Sequence, residues 1–464
     1  MIMSKTTPSK DEALDHAPTQ PEVGDVELLP AYNAEDARAA LWRIDFFILP
    51  VLAIGYMLQF LDKMSLTYAS IKGIIEDLHL VGGDYSWSSS VVYLSQLAFS
   101  YPATVLLVKF SVVKTVSCAI MFWAAAVLFH AVCHNFGGLI AVRFFLGAGE
   151  SFVSPAFGMI VAAYYKREEQ GLRQCLWFLG NGVSGLFGSL VAYGIAHIDG
   201  SLPQWKILFL IFGGLTLAWG FFMFFVVPDT PRNAWFLKPH QREAALTRLA
   251  KTVREEDKTF RIYQTWEALR DPSVWLFASY TICIGIANGG LASFSSLIIK
   301  AFGYSVIQTY LLHMSIYGSQ MFFVLIGAII PRYVKNRRYI LMVLFLIVAL
   351  VGCVPIHVVP QHHKEARLGA LCPTVAFVPI FPLNIAVATT NFQGNSKKAT
   401  VLTVMIISYC AGNVIGPQFY LPRQAPGLGL AARLVIDLGL HHEPPATTEV
   451  DTKESKHRWL LLKD

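Results

Sequence analysis

Charge is what this chain lacks. Only 15% of its 464 residues are Asp, Glu, Lys or Arg, against about 25% in soluble domains. With 54% hydrophobic residues and a mean hydropathy of +0.49, the deficit excludes an ordinary soluble domain. It fits a chain that crosses a bilayer many times, since each crossing needs ~20 mostly apolar residues. Metal-site spacing is missing as well. The seven cysteines (118, 133, 175, 283, 353, 372 and 410) stand singly in apolar segments and read as small buried hydrophobes. There is no phosphate-binding glycine loop, no nucleophile elbow and no zinc motif, so an enzyme would have no chemistry to work with. The net charge of +6 is modest and does not suggest nucleic acid. No basic stretch with a short apolar core precedes the first long apolar run, so a cleaved signal peptide is not expected.

What is present is a series of long apolar runs. Residues 1–43 read as a polar, disordered cytosolic tail. Runs able to span a bilayer follow at about 45–67, 88–108, 115–134, 139–163, 173–197 and 206–227, and then at about 274–298, 309–330, 339–358, 370–390 and 399–420. The expected fold is all-α and polytopic: a six-helix bundle over 44–227, a cytosolic loop over 228–271, an incomplete second bundle over 272–422 and an atypical polar tail over 423–464. With the N-terminus inside, the inner segments collect most Lys and Arg, including Lys109, Lys114, Lys166, Arg173, Arg338, Lys397 and Lys398. The outer segments hold fewer, such as Lys72, Lys206, Lys300, Lys364 and Arg367, and that asymmetry supports a cytosolic N-terminus. The loop reads as a turn and then an amphipathic helix with Ala244, Leu246, Leu249 and Ala250 on its less polar side. It is a tether between bundles or a docking site. Asp271-Pro272 would then start the seventh span.

The run Leu139 to Phe157 organises the chain, because it carries Arg143 and Glu150 inside an apolar span. Seven positions return a helix to nearly the same face, and Gly147 lies on that face too. A charge at mid-bilayer costs ~3 kcal/mol on insertion scales, so such groups face a bundle interior or a wet cavity. Two readings follow: an anion site at Arg143 beside a protonatable Glu150, or a structural ion pair. In the functional reading, a substrate anion at Arg143 weakens its hold on Glu150 and favours protonation. Asp62 and Lys63 sit in the outer half of the first span, with Gln59 one turn earlier. Either Lys63 snorkels to the headgroups or Asp62 carries protons. Tyr93, Gln96, Asn181, Asn288, Asn384, Asn391 and Asn413 are further polar groups within spans. Gly180, Gly182, Gly185 and Gly188 read as a close helix contact. His130, His134, His197 and His313 fall near outer ends and read as interfacial.

At these residues the chain resembles the major facilitator superfamily, and within it the fungal allantoate permease family of anion:cation symporters. The matching stretches are RIDFFILPVLAIGYMLQFLDK, RFFLGAGESFVSPAFGMIVAAYYKREEQGLR, WKILFLIFGGLTLAWG, PDTPRNAWFL, WEALRDPSVW and TTNFQGNSKKATVLTVMIISYCAGNVIGPQFY, which span most of 40–426. The resemblance implies a multi-pass plasma-membrane protein that works by alternating access, and a monomer is expected. It would carry a small carboxylate of the allantoate, nicotinate or pantothenate type, with the proton as coupling ion and no resident cofactor. It also implies proton coupling at Asp62 and Glu150, and substrate binding at Arg143, Lys63, Tyr93, Asn181 and Asn413. Asn391, the most inward polar group at the end of the tenth span, is a further binding candidate by its position alone. The chain departs from the family in two places. VKFSVVKT after the second span is a poor version of the gating loop. After Pro426, where a twelfth span is expected, the apolar part is too short to cross and contains Arg433 and Asp437. The other reading is therefore a non-transporting nutrient sensor or an inactive truncated carrier.

Overall fold

The computed structural model describes residues 34–198, 200–253, 262–333, 338–360, 362–392 and 395–419. Every regular element among them is helical. Among the described residues, eleven helices are long and apolar enough to cross a membrane, in the order the hydropathy pattern predicts. The first six spans are Glu35–Ser70, Asp84–Lys109, Val112–Val132, Phe136–Tyr164, Leu172–Ile195 and Gln204–Val226. The last five are Pro272–Ala301, Val306–Ile330, Arg338–Ile356, Lys364–Ile385 and Ser396–Phe419. The expected polar tail over 423–464 lies outside the described residues, as does most of the one over 1–43.

The first helix begins at Ala34, well before the expected boundary. Ala37, Ala40, Ile44, Ile48 and Leu52 are all buried at three- and four-residue spacing, so one stripe of the extra turns packs inward. Glu35 and Asp36 in the first turn suit the positive end of the helix dipole. At the seventh span, Asp271 caps the helix by accepting from the Ser273 N–H at 3.0 Å, and Pro272 takes the first position, where no N–H is needed.

Among the described residues, two large apolar cores form, one mainly in each half of the chain, with a smaller third cluster around Val274, Phe392 and Met405. Within the first half, the second span packs on the fourth and the third on the sixth; in the second half, the seventh packs on the eleventh. The outer surface carries apolar side chains such as Phe225, Leu276 and Val351, as lipid contact requires. Cys118 and Cys283 belong to this surface rather than to a core. An apolar residue on a membrane helix has two apolar environments to choose from, and sequence does not distinguish them.

The halves meet where the first span packs on the seventh, the second on the eleventh and the fifth on the eighth. Hydrogen bonds across this seam cluster towards the Ser70 end of the first span. Thr67 donates to the Ala292 carbonyl (2.8 Å), Tyr85 to that of Ser293 (2.7 Å), and Tyr310 to that of Tyr68 (2.9 Å). Ser90 donates to the Val414 carbonyl at 2.8 Å. Of the four glycines expected at a close helix contact, Gly180 and Gly188 face the first span, and Gly182 and Gly185 face the other bundle here. A Cβ on Gly185 would lie 2.0 Å from the Tyr317 ring, and one on Gly182 2.3 Å from Met321. The bundles are thus closed against each other on the Ser70 side.

The central loop docks in two pieces. The helix Pro239–Val253 packs on the first span, and Ile262–Arg270 packs on the eleventh. The buried stripe of the former is Gln241, Ala244, Ala245 and Arg248, while Leu246 is exposed. Arg248 can be buried because its guanidinium meets Glu169 at 3.1 Å. A pattern read by hydrophobicity alone picks the wrong neighbours.

Candidate functional site

The site is built by three helices of the first bundle. Adjacent helical residues point about 100° apart, so Asp62 and Lys63 look in different directions. Lys63 turns to the fourth span, and its Nζ lies 2.9 Å from Glu150 Oε2. The same oxygen accepts from Gln96 Nε2 at 2.7 Å and Gln59 Nε2 at 3.4 Å. Glu150 is sealed, whereas the Lys63 side chain keeps 17% of its surface exposed. Its ammonium also sits over the Tyr93 ring, 5.2 Å from the centroid, a favourable placement for a cation. Lys63 is therefore bound to the acid at one side and open at another, and it does not snorkel to the headgroups.

Two features of the fourth span put Glu150 there. The helix Phe136–Glu150 ends at the carboxylate, and a second helix, Val153–Tyr164, starts after a turn. Pro155 explains the break: it has no N–H, and its ring crowds the carbonyl four residues back, that of Ser151. Gln59 Nε2 comes within 3.4 Å of the Glu150 carbonyl at this joint. Gly147 sets the depth of the contact. A Cβ there would lie 2.3 Å from the Val92 carbonyl oxygen, so the second span approaches as only glycine allows. Ser95 donates to the Phe144 carbonyl at 2.6 Å and fixes the same contact, which aims Gln96 at Glu150.

The expected pairing of Arg143 with Glu150 is corrected. Seven residues share a face but lie about 10 Å apart along the axis, and Glu150 takes its cation from the first span instead. Arg143 is buried, donates from Nε to the Ser88 carbonyl at 3.1 Å, and leaves Nη1 without a partner among the described residues. It lies two turns from Glu150, towards the closed side.

Asp62 points the other way. It is fully buried, and its Oδ2 accepts from Trp123 Nε1 at 2.9 Å and Thr216 Oγ1 at 3.0 Å. Its Oδ1 has no partner among the described residues. The carboxyl is thus held inside the first bundle by neutral donors from the third and sixth spans. Nothing in the sequence marks Trp123 and Thr216, which read there as two more residues of apolar runs.

The second bundle contributes less than expected. Asn413 is fully buried, with Oδ1 accepting from Asn288 Nδ2 and Nδ2 donating to the Tyr409 carbonyl, both at 2.8 Å. Its amide is spent inside the bundle, and the half-buried Asn288 is the member of the pair nearer open space. Asn181 is nearly buried, and its Oδ1 lacks a partner among the described residues. Asn391 is not brought to the site. It is exposed at the end of its helix and donates to Tyr339 Oη at 2.7 Å.

The histidines also differ from expectation. His197 is exposed, but His130 and His313 are fully buried. His130 stacks on Phe209 with centroids 4.5 Å apart.

The sequence profile of the Major Facilitator Superfamily matches residues 52–417. The chain is 36% identical over 440 residues to an uncharacterized transporter of Schizosaccharomyces pombe, covering 92% of this chain and 84% of that protein. It is 30% identical over 430 residues to the allantoate permease of Saccharomyces cerevisiae, covering 90% and 78%. Among solved structures it superposes on a bacterial homologue of the human lysosomal transporter Spinster with a TM-score of 0.61 at 16% identity, covering 83% of this chain and 82% of the other.

Proposed function

This chain belongs to the Major Facilitator Superfamily, and from that premise we propose that it carries a small organic carboxylate together with a proton by alternating access. The observation that carries the reading is the Lys63–Glu150 pair, with the cation open and the acid sealed. A substrate carboxylate reaching Lys63 competes with Glu150 for one ammonium. Once Lys63 turns to the substrate, Glu150 keeps only the amide donors of Gln59 and Gln96. An ionised carboxylate in that state is expensive, and taking up a proton relieves it. Anion binding and protonation are then one linked event. Arg143 offers a second cation deeper towards the closed side, and Asp62 a second acid. Tyr93 flanks the ammonium, and the Asn181 Oδ1, without a partner among the described residues, adds polarity. The similarity to an allantoate permease, named for a small carboxylate, supports the substrate class. Basic residues on the side where the first span begins support a cytosolic N-terminus.

The test is uptake of labelled carboxylates at about pH 5 and about pH 7.5, with and without a protonophore, since a proton-coupled carrier must respond to both. Accumulation at acid pH that the protonophore abolishes supports the reading. Uptake indifferent to both rejects coupling, and no uptake of any acid rejects the carrier itself.

A further inference from the structure

We propose that His313 is a second proton-binding site of this carrier, placed in the seam between the bundles, neutral when the seam is closed and protonated when it opens. The inference rests on the carrier reading only in that the seam must open and close.

The imidazole bridges the two halves. Nε2 lies 2.7 Å from Ser295 Oγ of its own bundle, and Nδ1 lies 3.4 Å from Ser189 Oγ of the other. Ser189 Oγ is itself 3.2 Å from Tyr68 Oη, which also donates to the Gly185 carbonyl at 3.2 Å. The ring sits edge-on between Tyr68 and Tyr317, with centroids 5.5 and 5.0 Å away. His313 itself is fully buried.

The groups facing it can be named element by element. The first span offers Tyr68, the fifth Ser189, the seventh Ser295, and its own helix Tyr310 and Tyr317. All are neutral, and among the described residues no carboxylate is paired with the ring. A neutral imidazole suits this place, since one nitrogen donates and the other accepts. An imidazolium would be a buried charge without a counter-ion, which proteins avoid unless water or a partner reaches it.

Separating the fifth and eighth spans admits that water. In the open state the ring is hydrated and titrates near its ordinary value, about 6.5. The open form then binds one proton more than the closed form, so acid favours opening. Each pH unit below about 6.5 shifts the balance towards the open form by up to about tenfold. The carrier cannot reseal this side until His313 has given its proton up. This is a proton requirement separate from Glu150, which lies in the central site.

The experiment measures the opening directly. Spin labels are placed on Glu76→Cys and Ala301→Cys, both exposed at the Ser70 end, one in each bundle. The full chain, with its native cysteines replaced and its thermal unfolding unchanged, is reconstituted in nanodiscs, and the distance distribution is followed from about pH 8 to about pH 5, the range of an accessible histidine. The background is Glu150→Gln, which removes the central acid. The long-distance population is expected to grow several-fold on acidification, and His313→Gln, which keeps a donor and an acceptor, is expected to abolish that growth. Ser295→Ala weakens only the closed state, so its opening is expected to keep the pH dependence with a midpoint at higher pH. Growth that survives His313→Gln unchanged, or a Ser295→Ala protein that has lost its pH dependence, overturns the proposal. A seam that responds through His313 while no acid is taken up leaves this proton site standing and sinks the carrier reading alone.

Discussion

Lys63 Nζ and Glu150 Oε2 meet at 2.9 Å across two helices, and only the lysine side of the pair is open. The asymmetry makes the pair breakable from one direction, by an anion arriving at the ammonium. It also makes the two residues unequal as mutational targets. Lys63→Met leaves a sealed carboxylate without its cation and is expected to lower stability by about 3 kcal/mol, the range found for broken buried pairs. Adding Glu150→Gln to Lys63→Met should restore most of that loss. Thermal unfolding in detergent measures both. Transport should be absent in Lys63→Met and in the double variant, while Glu150→Gln alone loses uphill accumulation and keeps substrate exchange.

Gly185→Val tests the seam. The new side chain enters the space of the Tyr317 ring, which stands 2.0 Å from the Cβ position. The variant is expected to fold, because the obstacle lies between bundles rather than within one, and to lose uptake by more than about tenfold. A membrane-impermeant thiol reagent should then reach a cysteine at Ser293 faster than in the unmodified carrier. Uptake near wild type would show that this contact does not close the seam.

Gly147 and Gly194 form an internally controlled comparison. A Cβ at Gly147 meets the Val92 carbonyl at 2.3 Å, while at Gly194 nothing lies within 4 Å. Gly147→Ala is expected to cost about 1–3 kcal/mol, the usual range for overpacking, and to disturb uptake by moving Gln96 from Glu150. Gly194→Ala is expected to be neutral or slightly stabilising, since alanine is the better helix former. Unfolding temperatures and uptake of the two variants decide it.

Asp271 gives a stability effect with a defined pH sign. Slight burial raises its pKa, but the Ser273 N–H and the Lys397 ammonium, 3.3 Å away, outweigh it and hold the carboxyl below its ordinary value. A depressed carboxyl stabilises the fold at pH values above the unfolded pKa, and the contribution fades as pH falls through the folded one. Asp271→Asn keeps the helix cap and removes the charge. Its melting temperature should sit slightly below wild type at about pH 7, and the gap should begin to close near about pH 4 and vanish only below the depressed folded value. A gap independent of pH would mean that the charge contributes nothing.

The spans and their order were legible because an apolar run of membrane length has few other uses. Charges within such runs marked Asp62, Lys63, Arg143 and Glu150 for the same reason. Their partners were not legible. Helical spacing put Arg143 and Glu150 on one face but said nothing of the axial gap, and the cation for Glu150 comes from a helix about ninety residues earlier. Asp62 is satisfied by a tryptophan and a threonine that look ordinary in an apolar run. His313 was misplaced because its distance from a helix end was readable, while the bundle packed over that end was not. Asn391 stood within the right segment, but the helix stops there and leaves the side chain outside.

The interruption after Glu150 makes the fourth span two short rods rather than one. Glu150 closes the rod that carries Arg143, so acid and guanidinium travel together, moored to the second span through Gln96 and the Ser88 carbonyl. Lys63 belongs to the first span, so any shift of that span against the mooring is read out in this one ion pair.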